Sequence, residues 1–255
     1  MNELTSNLRQ RDPVERLALD DLRHGRIDDA LGLLQRNGNV TVADNADVLR
    51  DVMVAEWFEA TTDGSHAVMV ALRRDDVADL NRRARLLLQA DGRLTPDIVG
   101  VNDLGFAEGD RVMAHKNRYD LGILNGDQAT ITGATNSHVD VKVDDGRRLR
   151  LPMEYVAEGH LGHGYALTVH KAQGMTCDEA LLLGDDALYA EIGYTGLTRG
   201  RVRNRLYTVA ATDDLRQPVP GDELSHLRRS LTVSQAKTAA IDVAVDTASP
   251  PVPAL

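Results

Sequence analysis

The 255-residue sequence predicts an α/β fold: a parallel sheet with helices on its faces and a β-rich segment inserted into it. Three observations carry this expectation. Ala67–Leu72 is an unbroken apolar run of strand length, as found where both faces of a strand are covered. Short apolar runs alternate with segments of helical periodicity, both before residue 100 and after residue 177. Between about 105 and 158 the texture changes to short alternating runs separated by hairpin-turn signals.

Taken in order, Leu4-Thr5-Ser6-Asn7-Leu8-Arg9-Gln10 leads into Asp12-Pro13-Val14-Glu15. That segment is a helix start, with Asp as N-cap, Pro in the first turn and Glu three residues after the cap. Leu17, Ala18, Leu19 and Leu22 populate the helix, and Gly25 ends it. A second helix is expected over 27–36, closed by Gly38, and a short strand over Val40–Val42. Asn45–Ala60 reads as an amphipathic helix carrying the single tryptophan, Trp57, whose place there suits the core better than a base-stacking platform. The strand Ala67–Leu72 precedes a helix over Asp75–Gln89, in which Asn81 beside Leu80 is a polar side chain expected to cap or contact something.

Gly109-Asp110-Arg111-Val112, Asn125-Gly126-Asp127 and Asp144-Asp145-Gly146 are turn signals. They separate Val112–His115, Gln128–Thr132, Val139–Val143 and Arg148–Leu151, four or five strands' worth of a small barrel or meander. Tyr165–Val169 reads as a buried strand opening into a polar loop over Thr168–Thr176. The strands Glu179–Leu183 and Leu206–Ala210 flank a helix around Ala187–Leu197, as right-handed crossovers in a parallel sheet would arrange them. A last helix is expected over Leu224–Ala240, and the proline-rich end is expected to be a disordered tail. The boundaries that follow are 1–104 and 159–240 for the two parts of the main lobe, 105–158 for the insertion and 241–255 for the tail.

Composition narrows the function. No apolar run approaches the roughly 18 residues of a membrane span, so a cytoplasmic chain without a membrane partner is expected. One cysteine, Cys177, excludes an internal disulfide and a cysteine-built zinc site, and His160 and His163 read as chance spacing rather than metal ligands. The formal charge of −10 does not announce a nucleic-acid binder, though a motor can gather its cations in one cleft. Two local basic runs stand out, Arg147, Arg148 and Arg150, then Arg199, Arg201, Arg203 and Arg205.

The richest stretch is Gly164–Arg205. Its first block ends a buried strand in hydroxyl, imidazole, ammonium and amide groups, the usual composition of an α/β ligand edge. Its second block reads as the end of a helix that delivers Arg199 and Arg201, always-charged planar donors suited to phosphate. Thr168-Val169-His170-Lys171-Ala172-Gln173-Gly174 resembles the T-x-H-K-[SA]-Q-G signature of superfamily 1 helicases of the RecD-like branch. Tyr194-Thr195-Gly196-Leu197-Thr198-Arg199 resembles the Y-[VT]-[AG]-[LI]-[ST]-R motif that follows it in those proteins, in the same order and spacing. The likeness is nearest to the helicase part of conjugative relaxase–helicases (TraA type) and covers about residues 4–212.

The resemblance implies a RecA-like parallel sheet with flanking helices and a small SH3-like β-barrel insertion. It implies that the chain is the C-terminal, second RecA-like lobe of a DNA helicase, with Arg9 and Arg199 reaching the γ-phosphate as arginine fingers. Gln10 and Gly174 would join Arg199 in nucleotide binding. Thr168, His170, Lys171 and Gln173 would contact single-stranded DNA, with Asn125 of an Asn117…Asn125-Gly126 pair contributing from the insertion. Thr176 stands where many superfamily 1 helicases carry a ribose-contacting glutamate, so that contact is not expected here.

No G-x-x-x-x-G-K-[ST] phosphate loop occurs, nor an Asp-Glu pair placed to hold Mg²⁺. ATP with Mg²⁺ is therefore expected only when a first, Walker-containing lobe or a relaxase-linked partner completes the motor, and no hydrolysis is expected from the chain alone. Met1 stands almost where that first lobe would end, the pattern of a split or truncated helicase. The alternatives are a stand-alone module that binds single-stranded DNA or a protein, and a remnant without activity.

Overall fold

The computed structural model describes residues 10–101, 104–211 and 223–235. The chain opens with α1 (Pro13–Arg23) and α2 (Ile27–Arg36). Asp12 caps α1 by accepting the Val14 N–H at 2.8 Å, as the Asp-Pro start predicts. There follow β1 (Val40–Ala43), α3 (Ala46–Thr62), β2 (Ala67–Ala71) and α4 (Arg74–Ala90). A two-stranded ribbon, β3 (Val99–Val101) and β4 (Leu104–Phe106), leads into β5 (Arg111–Ala114), β6 (Gln128–Ala134), β7 (His138–Val143) and β8 (Arg148–Pro152). After the short α5 (Met153–Ala157) come β9 (Leu161–His163), β10 (Ala166–Thr168), β11 (Cys177–Leu183), α6 (Ala190–Leu197), β12 (Gly200–Val209) and α7 (Ser225–Thr232).

β1, β12, β11, β2 and β10 form, in that order, a five-stranded sheet in which every pair is parallel. The apolar runs show why they lie inside. Along β2, Val68 and Val70 face a core shared with α1, α2, α6 and α7, while Met69 and Ala71 face a second core shared with α3 and α4. Ala180 and Leu182 of β11 divide from Leu181 and Leu183 in the same way. A run with no polar residue is thus apolar on both faces because both faces are covered by helices. Trp57 belongs to the second core, 3% exposed, with its indole N–H donating to the Ala67 carbonyl at 3.0 Å.

The insertion is a five-stranded antiparallel sheet, β8-β7-β6-β5-β9, with a core of its own that includes Val112, Ile131, Val141, Leu151 and Tyr155. Four strands run as a meander. The fifth, β9, lies past residue 158 and pairs with β5. Two expectations are corrected. The last helix ends at Thr232, because Val233 turns extended and donates back to the Ser230 carbonyl at 3.1 Å. Its expected continuation over 236–240, and the expected tail, lie outside the described residues. Arg201 is not delivered by a helix end: α6 stops at Leu197, and Arg201 sits in β12, paired with Asp178 at 2.6 Å.

Candidate nucleic-acid interface

The loop after β10 is anchored by alternate burial. Val169 and Ala172 are fully buried in the first core, which leaves His170, Lys171 and Gln173 exposed and Thr168 half-buried. The Ala172 N–H donates to the Thr168 carbonyl at 2.9 Å, and the Lys171 N–H reaches Thr168 Oγ1 at 3.3 Å. Gly174 closes this turn at φ +85°, a conformation costly to side chains with a Cβ.

This loop forms one wall of a groove of about 830 Å³ between the parallel sheet and the antiparallel one. Thr168, His170 and Lys171 line it, and Asn125 reaches it from the β5–β6 loop of the opposite wall. Four of the five DNA-contact residues expected from sequence are therefore brought together. Gln173, the fifth, stands outside the lining. The Lys171 ammonium donates to His115 Nδ1 across the groove. Burial first, and then the charge of Lys171, hold His115 down to about 4, so the imidazole is neutral and can accept. Desolvation and the nearby Arg74 also pull Lys171 below its ordinary value. The ring of His115 fits because Gly162 faces it: a Cβ there would lie 2.5 Å from His115 Nε2.

The charge of this groove sets it apart from the rest of the chain. Among the described residues, Arg74, Arg82, Arg85 and Lys171 line it together with three histidines and no Asp or Glu does, although Arg82 is paired with Asp79 and Arg85 with Asp97 and Asp110, and the chain carries a formal charge of −10. Arg74 and His115 were not legible in advance. One sequence signal could have pointed to the first. α4 opens with Arg73 at its N-cap and Arg74 behind it, and no side chain caps it. Cations there oppose the helix dipole, a local cost that marks a position kept for something else.

The groove is positioned by buried polar contacts. Asn81 accepts the backbone N–H groups of Tyr165 and Ala166, both at 2.9 Å, and donates to the Ala166 carbonyl at 3.0 Å. It thus pins the entry to β10 to α4, the contact expected of a polar residue at that place. Asp110, fully buried, accepts from the Tyr165 hydroxyl at 2.6 Å, the Ala107 N–H at 2.6 Å and Arg85 Nε at 3.1 Å. This carboxylate ties the antiparallel sheet to α4 and to the residue that opens β10.

The other predicted residues gather elsewhere. Gly174, Arg199 and Gln10 lie toward the amino ends of β11 and β12, not outside the carboxyl ends, where an α/β ligand edge was expected. The Cys177 N–H donates to the Arg199 carbonyl at 3.1 Å, and Gln10 Nε2 donates to the Gly200 carbonyl at 2.9 Å. Arg199 is half-buried, its guanidinium donating to the Thr195 carbonyl at 2.7 Å and Thr198 Oγ1 at 2.9 Å, with a long 3.5 Å contact to the Met175 carbonyl. The 168–176 loop therefore has the groove at one end and Arg199 at the other. Gln10 is buried, and its Oε1 has no hydrogen-bond partner among the described residues. Arg9 lies outside the described residues.

Other cations of the two basic runs are held by neighbouring side chains and carbonyls. Arg203 donates to Asn39 and Gly38, and Arg205 pairs with Glu56 and with Glu179 at 3.2 Å. Arg147 pairs with Asp127 and Asp145, and Arg150 with Asp140. His163 Nε2 donates to the Gly105 carbonyl at 3.0 Å, His160 meets Glu158, and no group of three metal-ligating side chains occurs among the described residues. Nor is any described helix long and apolar enough to cross a membrane.

Beside Gln10, burial pushes the Glu15 carboxyl up to about 7, against its hydrogen bond from the Asn204 N–H at 2.5 Å. A carboxyl whose value is raised by folding binds its proton more tightly in the native state. Stability should therefore fall as pH rises from the unfolded value of 4.5 toward 7, by about 3 kcal/mol in all. Glu15→Gln, which mimics the protonated form, should become progressively more stable than the parent between pH 5 and pH 8 in urea melts. A difference that does not change with pH would contradict the assignment.

No protein-family model matches the chain. It is 30% identical over 209 residues to the conjugal transfer protein TraA of Agrobacterium fabrum, and 29% identical over 214 residues to that of Rhizobium radiobacter. Each match covers 80% of this chain and 19% of the relative, so the chain spans about a fifth of the length of these curated proteins. Among solved structures, the Pif1 helicase from Bacteroides in complex with ADP-AlF3 and ssDNA superposes with a TM-score of 0.52 and 17% identity. That superposition covers 89% of this chain and 56% of the helicase, and it shows a shared fold.

Proposed function

We propose that the chain, which belongs to the family of the conjugal transfer protein TraA, is the second RecA-like lobe of a superfamily 1 helicase, and that it grips single-stranded DNA and completes the nucleotide cleft of an ATP-dependent motor. The observation that carries this reading is a groove whose described lining gathers Lys171 and Arg74, with Arg82 and Arg85 already paired to Asp79, Asp97 and Asp110, and no carboxylate, on a strongly acidic chain. Lys171 and Arg74 would take the phosphates, with Thr168, His170 and Asn125 beside them. The antiparallel sheet, read as the SH3-like insertion of these helicases, would form the second wall of the track. That the Pif1 structure was solved with ssDNA supports the same direction.

ATP with Mg²⁺ would be held by a Walker-containing first lobe and would supply the free energy for movement along the strand. This sequence has no phosphate loop of its own. Arg199 would face the γ-phosphoryl across the cleft, with Arg9 as its expected companion and Gln10 and Gly174 at the same edge. Gln10 Oε1, without a partner among the described residues, suits an edge completed by another lobe. Because Arg199 touches the Met175 carbonyl, a shift of the 168–176 loop on the strand would move the arginine. Such a contact can couple grip to nucleotide without any longer path. A relaxase or Walker-bearing segment is the partner this implies.

Fluorescence anisotropy with labelled oligo(dT) tests the reading. The chain should bind the single strand, and log K should fall linearly with log salt. Lys171→Ala and Arg74→Ala should each weaken binding and each reduce the slope by about 0.7. Binding that is absent, or salt-independent, would remove the proposal.

A further inference from the structure

We infer that Tyr119 is a base-stacking platform for single-stranded nucleic acid at the outer rim of the groove, an inference that rests on the DNA reading of that groove. Tyr119 is 78% exposed, beyond every other large apolar or aromatic side chain among the described residues. Exposure alone would say little, since isolated apolar groups are ordinary on surfaces. This ring, however, is presented by a loop that is built and fastened.

It begins a single 3₁₀ turn, Tyr119–Leu121, inside a hairpin tip closed by mutual bonds between Arg118 and Ile123. Arg118 is held by Asp120 at 2.8 Å, and Arg147 of the neighbouring hairpin donates to the Gly122 carbonyl. Asn117 makes the connection to the groove. Its Nδ2 donates to the Tyr119 hydroxyl at 3.2 Å, and its Oδ1 accepts the Asn125 N–H at 2.6 Å. Asn125 lines the groove, so the ring is two hydrogen bonds from its wall.

Three consecutive residues that start the same loop complete the picture. His115 receives Lys171 across the groove, Lys116 stands exposed beside His160, and Asn117 orients the ring. A strand whose phosphates lie on Lys171 and Arg74 would turn its bases outward past this tip, where a flat π-face is held in place. Aromatic stacking is tolerant of sequence, which suits a track rather than a reader. Asp120 aside, the exposed residues that lead to the ring, His115, Lys116 and Asn117, are basic or polar, which favours nucleic acid over an apolar protein partner.

The test is titration of oligo(dT) carrying one 2-aminopurine, with anisotropy and 2-aminopurine quenching read together at fixed salt. Tyr119→Ala should weaken binding about tenfold, abolish the quenching and leave the salt slope unchanged. Tyr119→Trp should restore both affinity and quenching. Thermal melts should be unaltered in both variants, since the ring buries little of its surface. Wild-type affinity in Tyr119→Ala would overturn the inference while leaving the groove reading intact. So would equal losses in the Ala and Trp variants, which would show that only the loop's shape matters. No binding by the parent chain would instead remove the groove reading on which the inference stands.

Discussion

Asp110→Ala should lower the free energy of unfolding by about 3–5 kcal/mol, the usual consequence of removing one partner from a buried ion pair. The carboxylate has no exposed surface, and three donors converge on it. Its loss leaves Arg85, itself only 9% exposed, with the more exposed Asp97 as its remaining partner. It also strands the Tyr165 hydroxyl and the Ala107 N–H without an acceptor, each a desolvated group that once had one. Asp110→Asn keeps the shape and one acceptor, and should cost less. Trp57 is a natural reporter, because its ring lies edge-on to Tyr165 at 5.5 Å between centroids. Urea denaturation followed by its fluorescence would reveal the loss, and a cost under about 1 kcal/mol would mean that the two sheets do not depend on this junction.

Arg199→Ala should reduce DNA-stimulated ATP turnover of the assembled motor by about 10³-fold or more, the scale at which an arginine aimed at a transferring phosphoryl group acts. Affinity for oligo(dT) should stay within about twofold, because Arg199 does not line the groove and only touches the loop from behind. Arg199→Lys should not restore turnover. A point charge cannot reproduce a planar fork that is already oriented by the Thr195 carbonyl and Thr198 hydroxyl. Loss of DNA affinity with turnover per bound complex unchanged would place Arg199 on the DNA side instead.

Much of the parallel sheet was legible because burial writes itself into composition. Ala67–Leu72 could be read as a two-faced strand from apolarity alone, and Asp12-Pro13 as a helix start from capping chemistry. Asn81 was legible only as an oddity, a polar residue next to Leu80. What it does depends on the backbone of Tyr165 and Ala166, more than eighty positions away. Asp110 was hidden for a related reason. Gly-Asp-Arg-Val is good turn sequence, and nothing local reveals that its carboxylate is buried against Arg85 and Tyr165. β9 escaped because Leu-Gly-His is too short to alternate. The stretch 164–205 read as one site, yet a loop only eight residues long carries the chain from the carboxyl end of β10 to the amino end of β11. Lys171 and Arg199 therefore stand at opposite edges of one sheet. Arg74 and His115 entered the groove from two elements distant in sequence, which only the fold could bring together.

The most direct measurement is ATP hydrolysis by this chain mixed with a Walker-containing first lobe from a relaxase–helicase of the same kind, with and without oligo(dT). Turnover in the mixture should rise on adding the single strand, and none is expected from this chain alone. Turnover that ignores the single strand, or that persists when this chain is left out, would contradict its assignment as the DNA-gripping lobe of a motor.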